Sequence, residues 1–210
     1  MQPDRKNKQK EVKKSTFSTI EKMHPYKMLL YLVILGTSFI FLFLILAFNI
    51  SQSVINNYDH FRFPRAFVVS TIVLLLSSFQ MSKLSRYYKA DNLKGLIYSI
   101  GITLVLSLVF ICLQYIGWVQ LSSQENIFSE IPNNSYLYVI LGLHIFHFSA
   151  GLFFLGFAYY TLFKTPKDPV YSLLLFTNPF EKMKLELIVT YWQFINILWM
   201  SIFFYFLFSF

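Results

Sequence analysis

Apolar residues fall into five long uninterrupted runs: 28–48 (21 residues), 66–82 (17), 95–119 (25), 135–163 (29) and 187–210 (24). A membrane-crossing helix needs about 20 such residues, so all five can span, the second with little to spare. The fourth is long enough to tilt or to reach beyond the hydrocarbon. Barrel strands would alternate lipid-facing with lumen-facing side chains over about ten residues, and no such alternation persists. The connections 49–65, 83–94, 120–134 and 164–186 are at most 23 residues long, too short for a soluble domain. The pattern predicts an all-α protein, an integral membrane bundle of five transmembrane helices in one domain over 25–210, preceded by a polar tail over 1–24.

Composition agrees with this. Hydrophobic residues make up 56% of the 210, aromatic residues 20%, and charged residues only 13%, against roughly a quarter charged in soluble domains. The net charge of +8 could suggest nucleic acid, but the placement of the basic residues excludes it. Eight of the 18 Lys and Arg precede the first helix, four lie in each of the second and fourth connections, and only Arg62 and Arg65 lie in the first. Sixteen on one side against two on the other is a positive-inside pattern, with the N-terminus cytoplasmic and the C-terminus periplasmic. The tail is neither a cleavable signal nor a domain, and reads as a mobile basic segment drawn to anionic headgroups, with 18–22 able to form a helix on the membrane surface. Cys112 is the single cysteine, which excludes an internal disulfide and a thiolate cluster and leaves it as a packing residue of the third helix.

Candidate chemistry concentrates in the last two runs. His144 and His147 stand in GLHIFHFSAG, inside 29 residues that contain no Asp, Glu, Lys or Arg. An ionisable ring in hydrocarbon is a functional-site hypothesis. Three residues apart on a helix, the two rings share one side, yet they cannot occupy both axial positions of one haem, and no third buried histidine is available. No Asp, Glu or Cys is placed to complete a metal shell. The histidines are therefore expected to hydrogen-bond across helix interfaces, with Gly142, Ser149, Ala150, Gly151 and Gly156 permitting close approach. In the fifth run, Glu186 marks the cytoplasmic end, as a proton-exchanging carboxylate or as a solvated one favoured by the helix dipole, with Lys182 and Lys184 near enough to neutralise it. Tyr191, Trp192 and Trp199 read as interfacial anchors, whereas Gln193 and Asn196 lie inside the apolar run, where amides need partners.

These strings resemble subunit III of the haem-copper terminal oxidases in its short five-helix bacterial form. GLHIFHFSAG is similar to that family's Gly-x-His-x-x-His-x-x-x-Gly helix, and TYWQFINILW to its last-helix signature Tyr-Trp-His-Phe-x-Asp-x-x-Trp, with Glu186 six residues before the Trp as in the family. LQYIGW (Leu113 to Trp118), which contains Gln114, and STIVLLLSS (Ser70 to Ser78) resemble further family segments, and the resemblance covers Tyr26 to Phe210.

The resemblance implies a non-catalytic subunit of a proton-pumping oxidase that reduces oxygen to water in aerobic respiration, in the bacterial inner membrane. Haem and copper would lie in subunits I and II and no cofactor in this chain, which would stabilise subunit I and bind membrane phospholipid. His144, His147, Glu186, Tyr191, Trp192, Gln193, Asn196, Trp199 and Gln114 would serve as helix-interface or lipid-binding residues. The chain also departs from the family. Leu35 stands about where a buried Glu is usual in the first helix, Gly117 replaces the Glu after Gln114, and Gln193 and Asn196 replace the family His and Asp. All four departures remove titratable groups. A related subunit of nitric oxide reductases, a membrane b-type cytochrome and a small transporter are the alternatives, the last lacking the paired helix interruptions usual in that class. The electron donor, the haem type and membership of a larger respiratory supercomplex stay open.

Overall fold

Hydrocarbon offers no hydrogen bonds to a peptide group, so each apolar run must pair its backbone internally and becomes a helix. The computed structural model describes residues 24–52, 64–123, 133–164 and 175–209. The expectations for the basic tail over 1–23, for Arg62 and for the third connection over 124–132 lie outside the described residues. The elements are α1 (Pro25–Gln52), α2 (Arg65–Ser82), the six-residue α3 (Leu84–Lys89), α4 (Leu93–Ser122), α5 (Asn133–Lys164) and α6 (Pro179–Ser209). The described residues are otherwise turns and one short helical piece over 175–177, with no strand among them. Five of the helices are long and apolar enough to cross a membrane. The protein is all-α and multi-pass.

The helices outrun the apolar runs because their ends are set by capping. α6 begins eight residues before the apolar run at Leu187. Asn178 precedes Pro179, its side-chain oxygen accepts from the Phe180 N–H at 3.0 Å, and Glu181 occupies the first turn. Asparagine before a proline at the first helical position is a helix-start signal that overrides the polarity of the segment behind it. Glu186 consequently lies two turns inside the helix and not at its start. α4 begins in the same way, with Asn92 accepting from the Gly95 N–H at 2.9 Å. Asp91, at a φ of 50°, turns the chain between α3 and α4.

The chain divides into two units, 1–37 and 38–210. In the first, the described residues 24–37 are almost wholly helical, and the His24 ring stacks on Tyr26 at 5.2 Å. In the second, α2 packs along α4, α4 along α5, α5 along α6, and α6 returns to α2, so four helices close a ring, and α3 bridges α4 and α6 at one end. Phe67, Leu74, Phe110, Phe148, Trp192 and Trp199 fill its middle. From α1, Phe48 meets the Phe206 ring edge-on at 5.4 Å. Outward faces carry Phe79, Phe146, Phe153, Phe157 and Ile197, all exposed; in water such a surface would aggregate, and in lipid it is solvated.

The end where α2 finishes and α6 starts is the basic one. There the Lys83 ammonium lies 4.4 Å from the centre of the Phe79 ring and that of Lys184 4.6 Å from Phe180. Such stems lie along apolar surface while the charge stays at its edge.

Candidate functional site

α2 supplies hydroxyls to two neighbouring helices, α4 and α6. Ser70 and Thr71 each donate to the Phe67 carbonyl, at 2.9 and 2.7 Å, which satisfies their hydrogens locally and leaves their oxygens to accept across the bundle. Ser70 Oγ accepts from Gln114 Nε2 of α4 at 3.0 Å, and Thr71 Oγ1 from the indole N–H of Trp199 at 3.0 Å. Two turns along, Ser77 Oγ accepts from the indole of Trp192 at 3.2 Å. Ser78 and Gln193 pair reciprocally: the hydroxyl donates to Oε1 at 2.6 Å, and Nε2 donates to the Ser78 carbonyl at 3.0 Å. The partners of residues 192 and 199 run backwards from 77 to 71, so α2 and α6 are antiparallel.

Inside this polar seam lies an aromatic stack. Trp199 packs against Phe67, Phe110 and His144, with ring centres 6.1, 5.5 and 4.9 Å apart. Phe110 contacts Phe148 at 4.6 Å, and Phe148 contacts Trp192 at 5.3 Å. Trp192 and Trp199 are each 1% exposed. Both indoles are thus core residues hydrogen-bonded to a neighbouring helix, which corrects the expectation of interfacial anchors. Each finds an apolar seat and an acceptor for its N–H in the same place.

The two histidines part company. A three-residue step leaves side chains about 60° apart around a helix, enough to send them to different neighbours. His144 is fully buried between Trp199, Phe110 and Phe148. His147 is half-buried, places Nδ1 at 2.8 Å from the Leu143 carbonyl of its own helix, and meets the Phe41 ring at 6.0 Å. Across the helix interface at this position, the Tyr191 hydroxyl donates to the His147 carbonyl at 3.2 Å. A haem does not fit this site. Reaching the His144 ring would require displacing Trp199 and Phe148.

Glu186 is exposed, and its carbonyl accepts the Thr190 hydroxyl at 2.8 Å. Lys184, expected near it, pairs at 2.7 Å with Glu181. Gln114 and Asn196 are buried. Cys112 is exposed on α4, which corrects its expected place as a packing residue. Of the glycines expected to allow close approach, Gly151 does so, since an added Cβ would sit 2.8 Å from Ile195 Cδ1, whereas one at Gly156 would meet nothing within 4 Å. Gly117 matters as much. A Cβ there would lie 2.6 Å from the Phe67 ring, so the position where the family has a carboxylate is closed by an aromatic side chain.

Among the described residues, no group of three or more His, Cys, Asp and Glu comes together. The residues that sequence reasoning missed as part of this seam are Ser70, Thr71, Ser77 and Ser78. Their spacing held the signal: 70 with 77 and 71 with 78 repeat at seven, the interval that separates Trp192 from Trp199.

The chain matches no family model. It is 26% identical over 160 residues to cytochrome bo(3) ubiquinol oxidase subunit 3 of Buchnera aphidicola subsp. Schizaphis graminum, a match that covers 76% of this chain and 78% of the relative. The resemblance to oxidase subunit III, first read from separate motifs, therefore extends along most of the chain. This is a membrane protein similar to a subunit of a respiratory oxidase.

Proposed function

We propose that this chain is the non-catalytic subunit III of a proton-pumping haem-copper terminal oxidase in a bacterial inner membrane. The N-terminus is cytoplasmic and the C-terminus periplasmic. The observation that carries this reading is the meeting of the two motif segments in space: His144 of GLHIFHFSAG packs on Trp199 of TYWQFINILW at 4.9 Å, and that Trp bonds to Thr71 of the hydroxyl run on α2. Segments that resemble one family at separate places in the sequence form one buried structure. Its parts are those of a helix-fastening seam, with indoles and amides tied to hydroxyls. The basic end, with Lys83, Arg86, Lys89, Lys94, Lys164, Lys182 and Lys184, supports the assigned orientation.

In this reading the haems and copper of subunits I and II carry out electron transfer and oxygen reduction, and this chain holds no cofactor. Its own work is mechanical. The seam keeps α2, α4, α5 and α6 in one register and presents an apolar outer surface to subunit I and to phospholipid. With neutral residues at Leu35, Gly117, Gln193 and Asn196, it carries no proton through its interior along the positions where the family has titratable groups. The relative is named as an oxidase subunit, which favours an oxidase over a nitric oxide reductase.

The test is mild-detergent purification through a tag on this chain, followed by mass spectrometry and a reduced-minus-oxidised spectrum. Oxidase subunits I and II should co-purify with haem, and the separated chain should be colourless. Haem retained by the isolated chain, or a nitric oxide reductase pair in its place, would overturn the proposal.

A further inference from the structure

Around Trp199 lies a layer whose polar atoms outnumber their protein partners. His144 is 0% exposed, Gln114 1% and Asn196 4%. Both ring nitrogens of His144, both amide atoms of Asn196 and Oε1 of Gln114 have no hydrogen-bond partner among the described residues. The three residues come from α5, α6 and α4, and each lies within about one turn of Trp199 or of a residue packed on it. His144 touches the Trp199 ring, and Asn196 precedes that Trp by one turn. Gln114 follows Phe110, another neighbour of Trp199, by one turn, and bonds to Ser70 beside the Thr71 that holds the Trp199 indole.

Buried polar groups in native proteins are paired with protein or with ordered water, and the low dielectric of a membrane interior makes an unpaired one costly. The chemistry of these five atoms narrows what can pair them. A neutral imidazole offers one donor and one acceptor, the Asn amide offers both, and the Gln oxygen accepts. The ligand must therefore donate and accept. No Asp, Glu, Lys or Arg lies in the apolar runs 66–82, 95–119, 135–163 and 187–210, so no opposite charge from these helices is at hand to balance an ion. His144, Gln114 and Asn196 are buried with Phe110, Phe148 and Trp199 inside the bundle, away from the surface that a lipid chain or a partner's side chain would touch. Water meets all of these conditions.

We propose that the layer around Trp199 is an internal water-binding site, in which bound water bridges His144 of α5 to Asn196 of α6 and reaches the free oxygen of Gln114 on α4. The bridge extends to α5 and α6 the fastening that Ser and Thr hydroxyls provide along α2. Because His144 and Asn196 belong to the two motif segments, the water is a built part of the seam. It is independent of which oxidase the chain serves.

The experiment is solid-state NMR on the full-length chain in its native complex, reconstituted in bilayers with 15N-labelled histidine. This chain contributes four histidines, and the signal lost from the complex in His144→Phe is that of His144. Polarisation transfer from water protons to the His144 ring nitrogens is expected, with loss of at least half its intensity in Asn196→Leu and retention in Asn196→Ser, which keeps a polar partner. A His144 ring that receives no transfer in the unaltered protein, or one whose transfer is unchanged by Asn196→Leu, would overturn the proposal. If His144→Phe fails to assemble, His144→Gln, which keeps a polar side chain, supplies the same difference. A second readout is the half-life of the detergent-solubilised protein at raised temperature. With shared water, Asn196→Leu and His144→Phe each shorten it about threefold and the double variant falls no further than the worse single one; a multiplicative, roughly ninefold loss rejects sharing.

Discussion

Two layers of the α2–α6 seam, seven residues or about 10 Å apart along α6, handle the same problem differently. In the layer nearer the basic end, Trp192 and Gln193 meet the adjacent Ser77 and Ser78 and are paired at the indole and at both amide atoms. In the deeper layer, Trp199 has Thr71, but the side chains of Asn196 and His144 find no hydrogen-bond partner among the described residues. The sequences of the two layers look alike, each with a Trp and an amide. What differs is the supply of acceptors. At the first, two serines face one side chain each, and a backbone carbonyl accepts as well. At the second, the Ser70 and Thr71 hydroxyls donate to the Phe67 carbonyl and accept from Gln114 and Trp199, and neither bonds to Asn196. A buried amide is therefore satisfied or not according to the arithmetic of its neighbours, and its own type does not decide it.

The largest test of this contrast is truncation of the shared indole. Trp199→Ala removes the ring on which Phe67, Phe110 and His144 pack and should cost about 3–5 kcal/mol, measured as loss of assembled complex and a fall in Tm. Trp199→Phe, which keeps an apolar ring but drops the N–H, should lose about 1 kcal/mol or less, as membrane hydrogen bonds typically do. An equal loss in both would mean that the hydroxyl bond, and not the stack, dominates the deep layer.

Next in size is Gly117→Ala. The new methyl drives Phe67 from its place against Trp199, at about 1–3 kcal/mol. The effect should be relieved by Phe67→Leu in the same chain, read as recovered Tm, and absence of recovery would separate Gly117 from the layer. Gln193→Leu should cost about 1 kcal/mol by stranding Ser78 at the outer layer, in the same thermal assay. If it costs nothing while Asn196→Leu is damaging, the ranking of the two layers is reversed. The smallest expected effect is Ser149→Ala. That hydroxyl is exposed and bonds to the Ile145 carbonyl of its own helix, so the change should fall within about 0.5 kcal/mol of zero.

Much of the fold was legible because membrane helices announce themselves. Runs of 17 to 29 apolar residues admit one backbone solution in lipid. The boundaries were less legible where a capping signal lay in polar sequence, as at Asn178 and Pro179 ahead of FEKMKLE. Of the site residues, His144, Gln193 and Asn196 stand out as polar groups in hydrocarbon, Trp192 as an amphipathic aromatic, and Gln114 only through the family resemblance of its segment. Their partners do not, because serine and threonine are ordinary in membrane helices and only the seven-residue interval distinguishes these.

Length, apolarity, charge placement and two spaced motifs, all properties of the chain read in order, determined the helical class, the five spans and the resemblance to oxidase subunit III. Only the tertiary structure decided which polar groups meet. It buried both tryptophans that could have anchored at an interface, sent His144 and His147 to different surroundings, and filled the space at Gly117 with Phe67. The physical reason is that a hydrogen bond or a packing contact depends on two positions at once. The second position lies tens of residues away, on whichever helix the closing of the ring brings alongside.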